Sequence, residues 1–208
     1  MISRRSFLAI SAALVAGVAT CAFAIEYNER HLAVRLDGDV LHVSAPNFRF
    51  LSGKSLERLK DGASIAFIAQ LTVSSSPNYV VPDAISVARF AVSYDIWQER
   101  FSVTKITSRT EDKRTVSHKD GPAAEAWCFE NLAISRSDLP ANKPFYLQLD
   151  LREEDPRDQT GVIGDTGISI SRMVEIFSRP VRDKQAHWLL DSGPRPVTVE
   201  DLRKGMHW

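Results

Sequence analysis

The chain has 208 residues, and its 26 basic side chains balance its 26 acidic ones. A formally neutral chain lacks the excess of Lys and Arg that nucleic-acid or anionic-membrane binding needs, so no nucleic-acid partner is expected. Hydrophobic residues make up 44 % of the sequence, which suits a packed globular domain and argues against a disordered chain.

Residues 1–24 have the pattern of an export leader. Arg4 and Arg5 give the basic start, Phe7 to Thr20 the apolar stretch, and Ala22-Phe23-Ala24 a small-residue cleavage site. Cleavage after Ala24 would leave a single domain over residues 25–208, with 24 basic against 26 acidic side chains. The apolar stretch falls short of the about 20 residues of a transmembrane helix, and no later segment approaches that length. Ser3-Arg4-Arg5-Ser6-Phe7-Leu8 resembles the twin-arginine export signal, with Ala9 in place of the usual Lys. Arg4, Arg5, Phe7 and Leu8 are its targeting residues, read by a receptor as an address; Ala22 and Ala24 define the cleavage site. Val18-Ala19-Thr20-Cys21 also resembles a lipobox, but Thr20 stands where such sites take Gly, Ala or Ser. Lipid anchoring at Cys21 is therefore the lesser alternative to a free periplasmic or secreted protein. Once Cys21 leaves, Cys128 is the sole cysteine and no internal disulfide forms. It sits in the apolar helical stretch AEAWCFENL, which predicts a buried, inert thiol.

In chain order, His31–Leu36 and Val40–Ser44 predict a hairpin around Asp37-Gly38-Asp39. Ser52 to Lys60 reads as a short helix with Leu56 and Leu59 inward, Ser52 or Ser55 as cap and Asp61-Gly62 as stop. Ala63 to Val73 alternates Ile65, Phe67, Ala69, Leu71 and Val73 with smaller or polar residues, which predicts a long strand with one face on a core. Ser74–Asp83 is a proline-bearing loop. Ile85–Ile96 and Phe101–Thr107 predict two further strands joined tightly near Gln98, continuing a meander. The charged interval 108–120 reads as a solvated hairpin tip with a short strand at Thr115–His118. Pro122–Leu132 predicts a helix with Ala124, Cys128 and Leu132 in register. Ser135–Pro144 reads as a loop, Phe145–Leu151 as a strand, Glu153–Gly167 as irregular, and Ile168–Ser178 as a helix. Ala186–Leu190 and Val197–Val199 are short β-prone runs, followed by a helical turn over Glu200–Lys204.

Strands arrive in runs rather than alternating with helices. This predicts an α+β fold, with a mainly antiparallel sheet of about five to seven strands packed with three or four short helices. The order of the early hairpin, the helix ending in Asp61-Gly62, SIAFIAQLTV, ARFAVSYDIWQERFSVTK, AAEAWCFENL, FYLQLDLR and HWLLDSG resembles the bacterial exported family called domain of unknown function 4390. The resemblance spans roughly Leu32 to Ser192, although residues 155–167 are more polar than that family's pattern. It implies an exported α+β domain, and it brings no activity and no catalytic residues.

Few residues point to chemistry. His31, His42, His118, His187 and His207 form no close metal pair, and no G-x-S-x-G elbow is present. Gly161, Gly164 and Gly167 suggest a flexible loop rather than a phosphate cradle, and Ser52-Gly53-Lys54-Ser55 lacks the upstream glycine of a P-loop. Glu153, Glu154, Asp155 and Asp158 read as a solvated acidic loop, with no EF-hand spacing. Trp97, Trp127 and Trp188 are expected in core or sheet-face packing. Neither a cofactor nor a metal is expected. The favoured function is a non-catalytic exported domain that binds or scaffolds another envelope protein. The alternatives are an envelope hydrolase or transferase, with a site built from His118, Asp120 and the acidic loop, and a small-ligand carrier.

Overall fold

The computed structural model describes residues 31–106, 113–141, 143–155, 175–182 and 185–204. The leader with Arg4, Arg5, Phe7, Leu8, Cys21, Ala22 and Ala24 lies outside the described residues. So do Asp158, the three loop glycines, His207 and residues 168–174 of the expected late helix.

The hairpin forms from β1 (Ala33–Asp37) and β2 (Val40–Ser44), with Gly38 and Asp39 in the turn. Gly38 has φ +58°, the left-handed backbone that a two-residue turn uses at its first position. Helix α1 (Gly53–Lys60) follows with Ser52 at its N-cap position, though the Ser52 side chain makes no capping bond. Its C-terminus closes as the Asp61-Gly62 signal predicts. Gly62 takes φ +86°. Gly62 N–H donates to Leu59 O, and Ala63 N–H donates to Arg58 O, at 3.0 Å each.

Strands β3 (Ile65–Ser74), β4 (Ala84–Asp95), β5 (Arg100–Ile106) and β6 (Arg114–His118) make the expected meander. Helix α2 (Gly121–Glu130) starts where Asp120 Oδ1 accepts from Ala123 N–H at 2.8 Å and Pro122 occupies the first turn. Strand β7 (Ala133–Ser135) and a 3-10 turn (Arg136–Asp138) come next. Strand β8 (Tyr146–Glu153) returns to pair with β3 on the side away from β4, so β3 lies inside the sheet. A helical turn at residues 175–178 (α3), strand β9 (His187–Asp191) and helix α4 (Val199–Arg203) complete the described chain. All pairs of these strands are antiparallel. The larger sheet runs β6-β5-β4-β3-β8-β9 and the smaller β1-β2-β7.

The fold is α+β and mainly antiparallel, as expected, but the nine strands among the described residues divide between two sheets. The core lies between them. Ile65, Phe67, Ala69, Leu71 and Val73 of β3 and Leu147, Leu149 and Leu151 of β8 meet Leu32, Val34, Leu41, Val43, Phe48 and Phe50. The α2 residues Ala124, Cys128 and Phe129 pack into the same core. Phe50 and Phe67 touch edge to face, with ring centroids 4.9 Å apart.

Three expectations need correction. The stretch read as a loop from Ser135 begins within β7 and a 3-10 turn; three strand residues are too few to show alternation. Strand β3 buries both faces, because Ile176 and Phe177 of α3 cover Ile68 and Val87 on the outer side. Val197–Val199 is not a strand. Val197 makes a single bridge to Phe145, then Thr198 Oγ1 accepts from Asp201 N–H at 3.1 Å and starts α4.

Candidate functional site

The acidic stretch at the end of β8 is bound to arginines from elsewhere in the chain. On the outer face, Arg152 forks onto Asp150, Nε to Oδ1 at 2.9 Å and Nη2 to Oδ2 at 2.7 Å. Its Nη1 donates to the carbonyls of Ile176 and Arg179, and its guanidinium lies 5.0 Å from the Phe177 ring centroid. Arg152 therefore pins residues 175–179 to the sheet. Glu154 Oε2 accepts from Arg89 Nε at 3.0 Å and Nη2 at 2.6 Å, with both residues buried. Glu153 points to the inner side, where it pairs with Arg58 and accepts from Ser55 Oγ at 2.9 Å. Asp155 pairs with Arg182. The expectation of a solvated acidic loop is thus wrong for Glu153, Glu154 and Asp155. Their partners stand 95, 65 and 27 residues away in the chain.

The second cluster lies at the far edge of the sheet. His118, the last residue of β6, has its ring 5.9 Å from that of Trp127. Burial lowers its pKa, with the nearby Asp120 carboxylate opposing. Asp120 is engaged as the cap of α2. Strands β5, β4 and β3 separate this corner from the acidic stretch on β8. At about 4.8 Å per strand, that is roughly 19 Å. The structure therefore brings His118 and Asp120 together but leaves the acidic residues far outside hydrolytic reach. Among the described residues, no group of three His, Cys, Asp or Glu side chains is placed to hold a metal.

Cys128 is buried, and burial together with the Glu125 charge pushes its thiol pKa well up. It should stay unalkylated by iodoacetamide in native buffer and react fully in denaturant, as read by peptide mass spectrometry. Native labelling at Cys128 would contradict this packing. In Ser52-Gly53-Lys54-Ser55, Ser55 is buried against Glu153 and Gly53 starts α1, so the run forms no phosphate cradle.

The tryptophans divide. Trp188 joins Phe48, Phe50 and Phe67 in the core, with centroids 6.0–6.4 Å away. Trp127 packs on Phe90 and under Arg114. Trp97 breaks the expectation of core or sheet-face packing: it is 95 % exposed, beside the exposed Ile96. Both ride on the β4–β5 turn, beyond the layer that covers the sheet. The turn itself is fixed. Asp95 Oδ1 accepts from Trp97 N–H at 2.9 Å and Gln98 N–H at 3.0 Å, and Glu99 takes φ +51°. Its position between two β-prone runs marks a turn, but that signal does not say whether the turn is covered.

At the other end of β3, the loop 75–83 exposes Val80 and Val81, 74 % each, near Ile85. Tyr79 anchors it: the backbone takes φ +53° and the hydroxyl donates to Leu147 O at 3.0 Å. Burial, with Asp191 and Tyr146 nearby, pushes that hydroxyl pKa to about 12.

A groove of about 760 Å³ lies between residues 135–141, Lys143 and α4. Asp39, Ser135, Arg136, Ser137, Leu139, Lys143, Val199, Glu200 and Arg203 line it. No sequence motif marks it, because its walls come from three separate stretches. Among the described residues, no helix is long and apolar enough to cross a membrane. Comparison of the chain with protein-family models, with curated proteins and with solved structures finds no match.

Proposed function

We propose that the protein is an exported cell-envelope domain that binds another envelope protein through its Ile96-Trp97 hairpin tip and catalyses no reaction. One observation carries the reading: Trp97 is held almost wholly in solvent on a turn with fixed geometry. A tryptophan buries about 200 Å² or more when covered, worth roughly 5 kcal/mol at 25 cal/mol per Å² before the costs of association. Exposed, pre-organised aromatics of this kind anchor protein interfaces. The polar groups elsewhere support the same reading, since Glu153, Glu154, Asp155, Asp120 and Ser55 are each engaged in structural bonds. The leader pattern over residues 1–24 supports export to the periplasm or medium. Membership of the exported family resembled above belongs to the same proposal, supported by the shared element order.

The test is made in cells. With a photo-crosslinking residue at Gln98, illumination should give one defined adduct in the envelope fraction, and Trp97→Ala should abolish it without lowering the unfolding midpoint. Absence of an adduct, or one indifferent to Trp97→Ala, would sink the reading. On the same cells, the joint change Arg4→Lys and Arg5→Lys should retain the chain in the cytoplasm. Unimpaired export of that variant would exclude the twin-arginine route.

A further inference from the structure

We infer that the groove between residues 135–141, Lys143 and α4 binds a small organic anion, with Lys143 and Arg203 gripping its carboxylate or phosphate and Leu139 and Val199 receiving its apolar body. The site is distinct from the hairpin tip. Its Lys143 wall runs through Phe145 into β8, at the end of β3 opposite the β4–β5 turn.

The size is right. A groove of about 760 Å³ falls within the roughly 300–1,000 Å³ typical of small-molecule sites. The walls are fixed by backbone bonds. Phe145 and Val197 exchange N–H···O contacts of 2.9 and 2.7 Å, and Arg136 N–H donates to Asp39 O at 2.8 Å. Thr198 caps α4 against Asp201, so the α4 side is also set. A ligand entering there orders little of the protein, which lowers the cost of binding.

The charge is unbalanced in a specific way. Arg136 already pairs with Asp39 at 3.3 Å. Lys143 and Arg203 line the same groove and have no carboxylate partner among the described residues. The remaining acid, Glu200, sits in the first turn of α4, where the peptide dipoles favour a negative charge. The lining thus carries three cations and two acids. Arg203 adds a planar fork that suits carboxylate or phosphate oxygens. Leu139, which is buried, and Val199, which packs against the core, both line the groove. A lining that offers both cations and apolar side chains fits an anion with a short hydrocarbon tail better than a bare ion.

Titration of the isotope-labelled full chain with hexanoate, hexanamide and inorganic phosphate tests this by amide chemical shifts. Hexanoate should give saturable shifts confined to residues 135–141, Lys143 and residues 198–204. It should bind more tightly than phosphate, which lacks the tail, and than hexanamide, which lacks the charge. The double change Lys143→Gln and Arg203→Gln removes both charge-assisted contacts and should weaken hexanoate by at least about tenfold, with an unchanged unfolding midpoint. Non-saturable shifts, hexanamide binding equal to hexanoate, or full affinity in the double variant would each overturn the site. None of these results depends on Trp97, so the tip and the groove stand or fall separately.

Discussion

Replacing Glu154 by alanine is expected to lower the unfolding free energy by about 3–5 kcal/mol, the cost of stranding a buried charge. Arg89 and Glu154 are only 5 % and 6 % exposed, and a single carboxylate oxygen takes both guanidinium contacts. Without Glu154, the guanidinium stays beneath the outer covering with no counter-charge. Arg89→Ala should cost a similar amount for the mirrored reason. The double change Arg89→Met with Glu154→Leu should recover most of the loss, because well-packed apolar groups of similar volume replace a buried pair at little cost. Guanidinium unfolding of the three variants checks this. Single-variant losses below about 1 kcal/mol, the ceiling for exposed pairs, would show that the site is open to water.

The pair's location explains why it matters. Glu154 N–H also donates to Ala66 O at 2.7 Å, so the chain leaving β8 is tied to β3 by its backbone and to β4 by its side chain. Arg152 does the neighbouring work by gripping Asp150 and the carbonyls of Ile176 and Arg179. Arg152 thereby holds the cover that buries the second face of β3, while Arg89 fixes the chain that leaves β8.

That second face shows what the sequence could and could not reveal. Alternation in Ala63–Val73 exposes the strand and its inward row at once, because side chains on a strand repeat every two residues. The same pattern leaves the outward row, Ala66, Ile68 and Gln70, ambiguous; its cover comes from residues 175–179, more than 100 positions later. The Asp61-Gly62 stop and the Gly38 turn were readable because each acts on backbone within a few residues. The arginine–acid pairs and the groove were not, since their members join only after the sheet has formed. Trp97 was misplaced for a different reason. The outward and inward rows of β4 continue legibly to Ile96, and only the extent of the covering layer decides that the strand ends first.

Glu125 carries the other large effect, from within a stretch that reads as an apolar helix. Its side chain is 1 % exposed, and Oε1 accepts from Phe50 N–H at 2.7 Å and Leu51 N–H at 2.6 Å. It thereby fastens α2 to the segment that carries Phe48 and Phe50 into the core. Glu125→Ala strands both N–H groups, at about 1–3 kcal/mol each. Glu125→Gln keeps an acceptor oxygen for them and should lose much less. The two variants also separate by pH. Burial holds the carboxyl pKa above its usual 4.5, outweighing the two N–H bonds and Arg49, which pull it down. Between 4.5 and that raised value, the folded chain keeps a proton that the unfolded chain releases. This contribution to stability is fully present below 4.5 and is lost as pH rises through the folded value. Glutamine does not titrate, so Glu125→Gln should gain stability relative to the native chain as pH rises across that window. Paired denaturant unfolding from acid to neutral pH measures the difference, and parallel curves would mean that the Glu125 carboxylate is solvated in the folded state.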